Sequence, residues 1–407
     1  MSSRLLPPSA TPDARRLLWT RSLRGFADGV VSVLLADYLI RLGFTPTEVG
    51  VVVTATLLGS AALTIAVGLS AHRLDRRSLL IGASALMLFT GLLFAGLRSF
   101  WPIVVTAFVG TINPSAGDVS VFLPTEQAVL AETVRARERT SIFAWYNLVG
   151  TFAGAVGALA SGLPDRLSRS LGVEVLTAER GAFLLYGAMG VCTAVVYARL
   201  SRALEVNSGQ KARPLAQSKR IVLKLAAFFS LDAFGGGFVV QSLLVLWLYR
   251  RFQLSPEVAG AVFFGASLVG ALSQFVSSWL AARIGAIRTM VFTHLPANLF
   301  LIVAGVVPTA PLAVTFLLLR ASLSSMDVPA RQAYVMAVVP PEERAAAASV
   351  TNVPRSLASA IPPSLTGLLL AHSSFGWPLI FAGLLKALYD VLLLAEFRHV
   401  TGAEDAR

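Results

Sequence analysis

Twelve runs of largely apolar residues divide this 407-residue chain, and they leave few folds open to it. They fall near 22–41, 47–69, 78–97, 101–123, 140–163, 181–200, 222–249, 256–281, 289–307, 311–329, 345–370 and 377–397. A run of about twenty apolar residues crosses a bilayer as an α-helix. Charged residues make up only 14% of the chain, against roughly 25% in an ordinary soluble domain. The mean hydropathy is +0.71. The deficit of charge places the chain in lipid, and turn signals at 43–46, 75–77, 99–102, 255–256 and 308–311 separate the runs.

The net charge of +12 invites a nucleic-acid interpretation, which the placement of the charges excludes. They sit in the connectors between apolar runs and form no stripe or arm. Of the 34 Lys and Arg, only Arg41, Arg98, Arg166, Arg169, Arg180, Arg250 and Arg251 fall on the side opposite the two tails, while Arg320, Arg355 and Lys386 lie within spans. That excess puts both termini in the cytoplasm. The first sixteen residues lack an apolar core and a cleavage site, so they are expected to be a cytoplasmic tail. Cys192 excludes an intrachain disulfide. The four histidines, His72, His294, His372 and His399, are placed in connectors and ends, without metal-ligand spacing. No phosphate-binding glycine loop follows a strand, so neither an enzyme nor a cofactor is expected.

The chain also repeats itself. Residues 124–147, PTEQAVLAETVRARERTSIFAWYN, lie over 329–352, PARQAYVMAVVPPEERAAAASVTN, without a gap. Seven of the twenty-four positions are identical, including Gln127/Gln332, Glu138/Glu343 and Arg139/Arg344; chance gives about two. Elsewhere SLRGFADG of span 1 lies over SLDAFGGG of span 7, and Pro46/Pro256, Gly50/Gly260 and Arg73/Arg283 keep their spacing. The expected organisation is a tail over 1–21, six spans over 22–200, a basic linker over 201–220, six spans over 221–397 and a tail over 398–407. Parallel six-span repeats are the plan of one large transporter class, whose site lies near the midplane.

On this span count and repeat the chain resembles the major facilitator superfamily over nearly its whole length, which implies an all-α membrane protein of twelve transmembrane helices in two six-helix repeats. The superfamily's 2–3 connector, G-x-L-A-D-R-x-G-R-K, meets GLSAHRLDRR at 68–77, with His72 in place of the acid and Asp75 in place of the glycine. The motif's gating acid thus has no counterpart at 72, and Arg73 is the matching cation. In span 5, Gly150, Gly154 and Gly157 suit small-xxx-small helix packing. The stretch is also similar in part to the fifth-span motif of drug:proton antiporters, with Ala155 where the proline stands. Trp145, Tyr146, Phe143 and Phe152 around it suit packing or a cavity for aromatic solutes.

Ionisable side chains inside spans cost roughly 2.5–3.5 kcal/mol each at a helix centre and should face a cavity or a partner. The resemblance implies that spans 1, 4, 7 and 10 line that cavity. Asp28, Asp118, Asp232 and Asp327 are the proton-coupling candidates, with Asp28 first. Arg24, one turn before it, is either a cavity residue or its structural ion-pair partner. Asp37 lies near the far end of the span. Arg24, Asn113, Gln241 and Arg320 are the substrate-cavity candidates, with Arg320 expected within reach of Asp28. Arg73, Gln127, Glu138, Arg139, Gln332, Glu343, Arg344 and Arg355 are candidates for a cytoplasmic gate or hinge. Lys386 and Asp390, four apart, are expected to pair on a peripheral helix.

The expected function is secondary active transport by alternating access, in the form of proton-coupled export of small organic or drug-like compounds. Uptake of a small anion, with Arg320 and Arg355 as ligands, is the first alternative, and a membrane receptor or scaffold is the alternative of another class. The expected partners are a small-molecule substrate, protons and the lipid bilayer, without nucleic acid. The chain is expected to act as a monomer in a bacterial cytoplasmic membrane.

Overall fold

The computed structural model describes residues 6–70, 75–115, 121–135, 138–201, 216, 218–340 and 343–397. Among them every regular element is helical. In chain order these are α1 (Pro12–Arg41), α2 (Pro46–Ser70), α3 (Arg76–Gly96), α4 (Phe100–Val109), α5 (Phe122–Glu132), α6 (Arg139–Ala160), α7 (Leu163–Leu171), α8 (Val175–Tyr197) and α9 (Lys219–Gly237). There follow α10 (Gln241–Phe252), α11 (Pro256–Ile284), α12 (Ala286–Val306), α13 (Ala310–Ser324), α14 (Asp327–Val338), α15 (Arg344–Ala360), α16 (Pro362–His372) and α17 (Trp377–Phe397). Among the described residues eight helical stretches are long and apolar enough to cross a bilayer, and α4 and α13 are shorter apolar helices. Large apolar side chains such as Phe89, Val105, Leu272 and Leu299 are exposed along them, as lipid-facing surfaces require.

Several expected spans are broken. Span 4, expected as one helix over 101–123, ends as α4 at Val109 and resumes as α5 at Phe122. Pro114 lacks an N–H and pushes the residue before it away from helical backbone. Asn113 Oδ1 accepts from the Ser115 amide at 3.1 Å and from its hydroxyl at 2.9 Å, a local turn that competes with the helix. Span 10 divides between α13 and α14, span 7 between α9 and α10 after Gly235-Gly236-Gly237, and span 11 at Ile361 before Pro362-Pro363. Each break frees backbone carbonyls that lipid cannot satisfy. Three of them accept hydroxyls from another helix. Tyr186 donates to Thr111 O at 2.8 Å, Thr366 to Phe238 O at 2.9 Å, and Ser277 to Met326 O at 2.5 Å.

The chain forms two compact units, residues Met1–Asn207 with Leu254–Phe264, and Ser208–Gln253 with Gly265–Arg407. The sequence repeat has its structural counterpart in them. Helices α5 and α14 begin 205 residues apart, at Phe122 and Asp327, and so do α6 and α15, at Arg139 and Arg344. The pairing repeats as well: α1 packs on α6 and α3 on α8 in the first unit, α9 on α15 and α12 on α17 in the second. At the first crossing a Cβ on Gly29 would lie 2.1 Å from Gly154 O; at its counterpart, a Cβ on Gly237 would lie 2.4 Å from Ser359 O. Gly154 and Ser359 are again 205 apart. Only glycine lets these backbones approach so closely, which is the small-residue packing read in span 5.

Candidate functional site

In the first unit, α1 and α5 carry a buried ionic centre. Arg24 donates to Glu126, both out of contact with solvent, and its guanidinium lies 4.2 Å from the centre of the Phe122 ring. Glu126 Oε1 also accepts from Thr20 Oγ1 at 2.7 Å and Tyr197 OH at 2.5 Å, and Oε2 accepts from Tyr146 OH. Four donors from three helices, α1, α6 and α8, therefore hold one carboxylate, which is how a buried charge is tolerated. This corrects the structural pairing expected between Arg24 and Asp28: the guanidinium is on Glu126. Tyr146, read as packing or cavity lining, is one of that carboxylate's donors.

Asp28 lies one turn along α1, half-buried, and its carboxyl makes no hydrogen bond or ion pair with any described residue. Arg24 and Arg21 are its charged neighbours. Asn113 is buried in the break between α4 and α5, where its side chain shapes the turn. At the other end of α1, Arg41 meets Asp37 at 2.7 Å, Glu179 at 3.2 Å and Asp165 at 3.6 Å.

The second unit places Asp232, on α9, among cations. Lys386 Nζ is 2.6 Å from Oδ1 and Arg331 Nη1 is 3.4 Å from Oδ2; Arg331 also lies 3.5 Å from Asp327. His294 Nε2 is 3.8 Å from Asp232 Oδ1, and its Nδ1 is 2.9 Å from Asp390 Oδ1. Asn298 donates to Asp390 Oδ2 at 2.8 Å. Two expectations are corrected here. Lys386 and Asp390 do not pair with each other, since successive turns of α17 aim them at α9 and α12. His294 is not in a connector; it is buried well inside α12. Arg320, on α13, is half-buried and makes no hydrogen bond or ion pair with any described residue; Asp232 and Asp327 are its charged neighbours. Gln241 opens α10, directly after the break in span 7.

At the repeated connectors the two glutamates make the same contacts. Glu138 Oε2 accepts from the Ser9 amide at 3.1 Å and its hydroxyl at 2.5 Å. Glu343 Oε2 accepts from the Ser218 amide at 3.1 Å and its hydroxyl at 2.5 Å, and Oε1 takes the Ala216 amide at 3.1 Å. Each thus holds the segment that leads into the first helix of its own unit. Arg139 donates to Ala131 O at 3.1 Å, Gln127 is half-buried on α5 and Arg355 is half-buried on α15. Arg73 and Asp118 lie outside the described residues, as do the side chains of Gln332 and Arg344.

Sequence reasoning passed over Glu126, Arg331 and His294. The signal for the first two was present. They stand 205 residues apart, each next to a member of the matched Gln127/Gln332 pair. Their partners Arg24 and Asp232 also align, in SLRGFADG and SLDAFGGG. Opposite charges score as mismatches, so a conserved ion pair with its signs exchanged went unseen.

The comparisons with known proteins agree with this architecture. The chain is 28% identical over 425 residues to the membrane protein YJR124C of Saccharomyces cerevisiae, covering 95% of this chain and 94% of that one. The nucleoside transporter NupG superposes with a TM-score of 0.74 at 12% identity, over 96% of this chain and all of that one. A D-xylose-proton symporter gives 0.74 at 14%, over 93% and 96%. An inward-facing bacterial homolog of the human lysosomal transporter Spinster gives 0.70 at 15%, over 94% and 95%. At such identities these structures show the fold alone. The profile of the Major Facilitator Superfamily matches residues 17–249 and 225–405, and the chain belongs to that family.

Proposed function

We propose that this multi-pass membrane protein is a secondary transporter that couples proton movement to the alternating-access transport of a small organic solute, with Asp28 as the coupling acid. One observation carries the proposal. Of the described acids expected to couple protons, Asp232 and Asp327 are in contact with cations, whereas Asp28 touches none. A proton arriving at Asp232 would have to displace Lys386 and Arg331, while one arriving at Asp28 breaks nothing. A carboxyl within a span that pairs with no described residue is expensive enough that a structural role would have given it a partner.

The proposed direction is export, from the likeness of the Gly150–Gly157 stretch to the fifth-span motif of drug:proton antiporters. A second reading, uptake of a small anion, is favoured by Arg320, a cation within a span that makes no ion pair among the described residues. In proteoliposomes with an entrapped pH dye, a panel of organic cations and carboxylates added under an imposed pH gradient separates the two. Cations that move protons point to export and carboxylates to uptake. A panel that moves no protons, with the labelled solutes also static, would favour the receptor or scaffold.

A further inference from the structure

His294 has a buried position, between two carboxylates, that no transport step described so far uses. Nδ1 lies 2.9 and 3.1 Å from the two oxygens of Asp390, and that carboxylate also accepts from Asn298. A carboxylate only accepts, so its closeness assigns the neutral imidazole's proton to Nδ1, which the Asn298 amide nitrogen also approaches at 3.2 Å. Nε2 is then the basic atom, and it faces Asp232 Oδ1 at 3.8 Å.

The charges around the ring set the balance. From α9 comes Asp232; from α14, Asp327 and Arg331, with Tyr334 two turns on; from α17, Lys386, Tyr389 and Asp390. Arg320 on α13 stands near Asp232 and Asp327 without contacting either. Tyr389 meets the ring edge-on, 6.0 Å between centres. Among the groups that contact one another about Asp232 and Asp390, then, three carboxylates are matched by two cations, Lys386 and Arg331. An imidazolium at position 294 makes the count even, with one N–H toward each flanking carboxylate.

We propose that His294 is a reversible proton-binding site of the second unit, taking the proton from solution on Nε2 and holding it between Asp390 and Asp232. The incoming N–H faces the same Asp232 oxygen that Lys386 Nζ occupies at 2.6 Å. Proton and ammonium therefore compete for one acceptor. The Lys386 stem packs along Gly235 and Gly236, where a Cβ would meet it at 3.0 and 3.6 Å, so the two glycines are what let it reach Asp232. Use of this proton in coupling rests on the transport reading above; its binding does not.

The test uses 15N-histidine-labelled full-length protein in nanodiscs, followed by NMR between pH 5 and pH 9. His72, His372 and His399 are replaced by Gln so that His294 reports alone. The expected spectra show Nδ1–H with a bare Nε2 at high pH, and Nε2 gaining a proton as the pH falls. Asp390→Asn should transfer the neutral proton from Nδ1 to Nε2, a change that a merely packed ring would not show. A ring fixed in one protonation form throughout, or the same tautomer with and without Asp390, would overturn the proposal. No solute is needed, so failure here leaves Asp28-coupled transport standing, and failure of the transport panel leaves this site standing.

Discussion

Glu126 and Arg331 occupy the same place in the two copies of the repeat, 205 residues apart, and carry opposite charges. Each meets a residue of the complementary sign on the first helix of its own unit, Glu126 with Arg24 and Arg331 with Asp232. The duplicated fold has kept the ion pair and exchanged its ends. A buried pair survives such an exchange only if both partners change, since one reversal alone leaves two like charges without water.

Removing one partner of the first-unit pair is therefore expected to be severe. Glu126→Ala removes the carboxylate to which Arg24 and three hydroxyls donate, and should cost about 3–5 kcal/mol. Thermal unfolding in detergent checks this. Arg24→Glu with Glu126→Arg should recover part of the loss; a double variant worse than both singles would show that the hydroxyls, which need an acceptor, dominate the site.

The helix crossings predict a sharp contrast between two glycines. Gly29→Leu cannot be accommodated 2.1 Å from Gly154 O, and folded protein should be lost. Gly82→Ala, on α3, meets nothing within 4 Å and should leave yield and melting temperature unchanged or slightly raised. Monodisperse yield on size exclusion reads both.

The repeated connector glutamates should act through their serines. Ser218→Ala removes its hydroxyl's bond to Glu343, worth about 1 kcal/mol or more because the acceptor is charged, and Ser9→Ala removes the matching bond to Glu138 together with the one its hydroxyl accepts from the Arg135 amide. Glu343→Ala should lose more, and Ser218→Ala should add little on top of it. A double-mutant cycle on melting temperature would show that coupling; simple additivity would separate the two residues.

The bilayer made much of this architecture legible and hid the rest. Apolar runs and charge-rich connectors locate spans because lipid punishes exceptions, so α2, α3, α11, α12 and α17 lie close to where the runs placed them. Helix breaks were harder to place, because a span counted by its length absorbs a polar stretch such as Thr111, Asn113, Ser115, Asp118 and Ser120 without marking where the helix stops. Asn113-Pro114 and Pro362-Pro363 were the visible signs. Long-range partners were beyond reach. Nothing local to Lys386 distinguishes a bond to Asp390, four residues on, from the one it makes to Asp232 on another helix. Asp28 was legible as an ionisable group in a span, but that it pairs with no described residue follows only from seeing Arg24 turned to Glu126.

The most direct measurement is proton and solute flux recorded together in proteoliposomes holding wild type, Asp28→Asn or Asp37→Asn, with the solute that the panel identifies. Asp28→Asn should lose gradient-driven accumulation at least tenfold while keeping downhill exchange, and Asp37→Asn, placed at the far end of α1 beside Arg41, should be milder. Unchanged proton-driven accumulation by Asp28→Asn would contradict the account and move the coupling to the buried charges around Asp232.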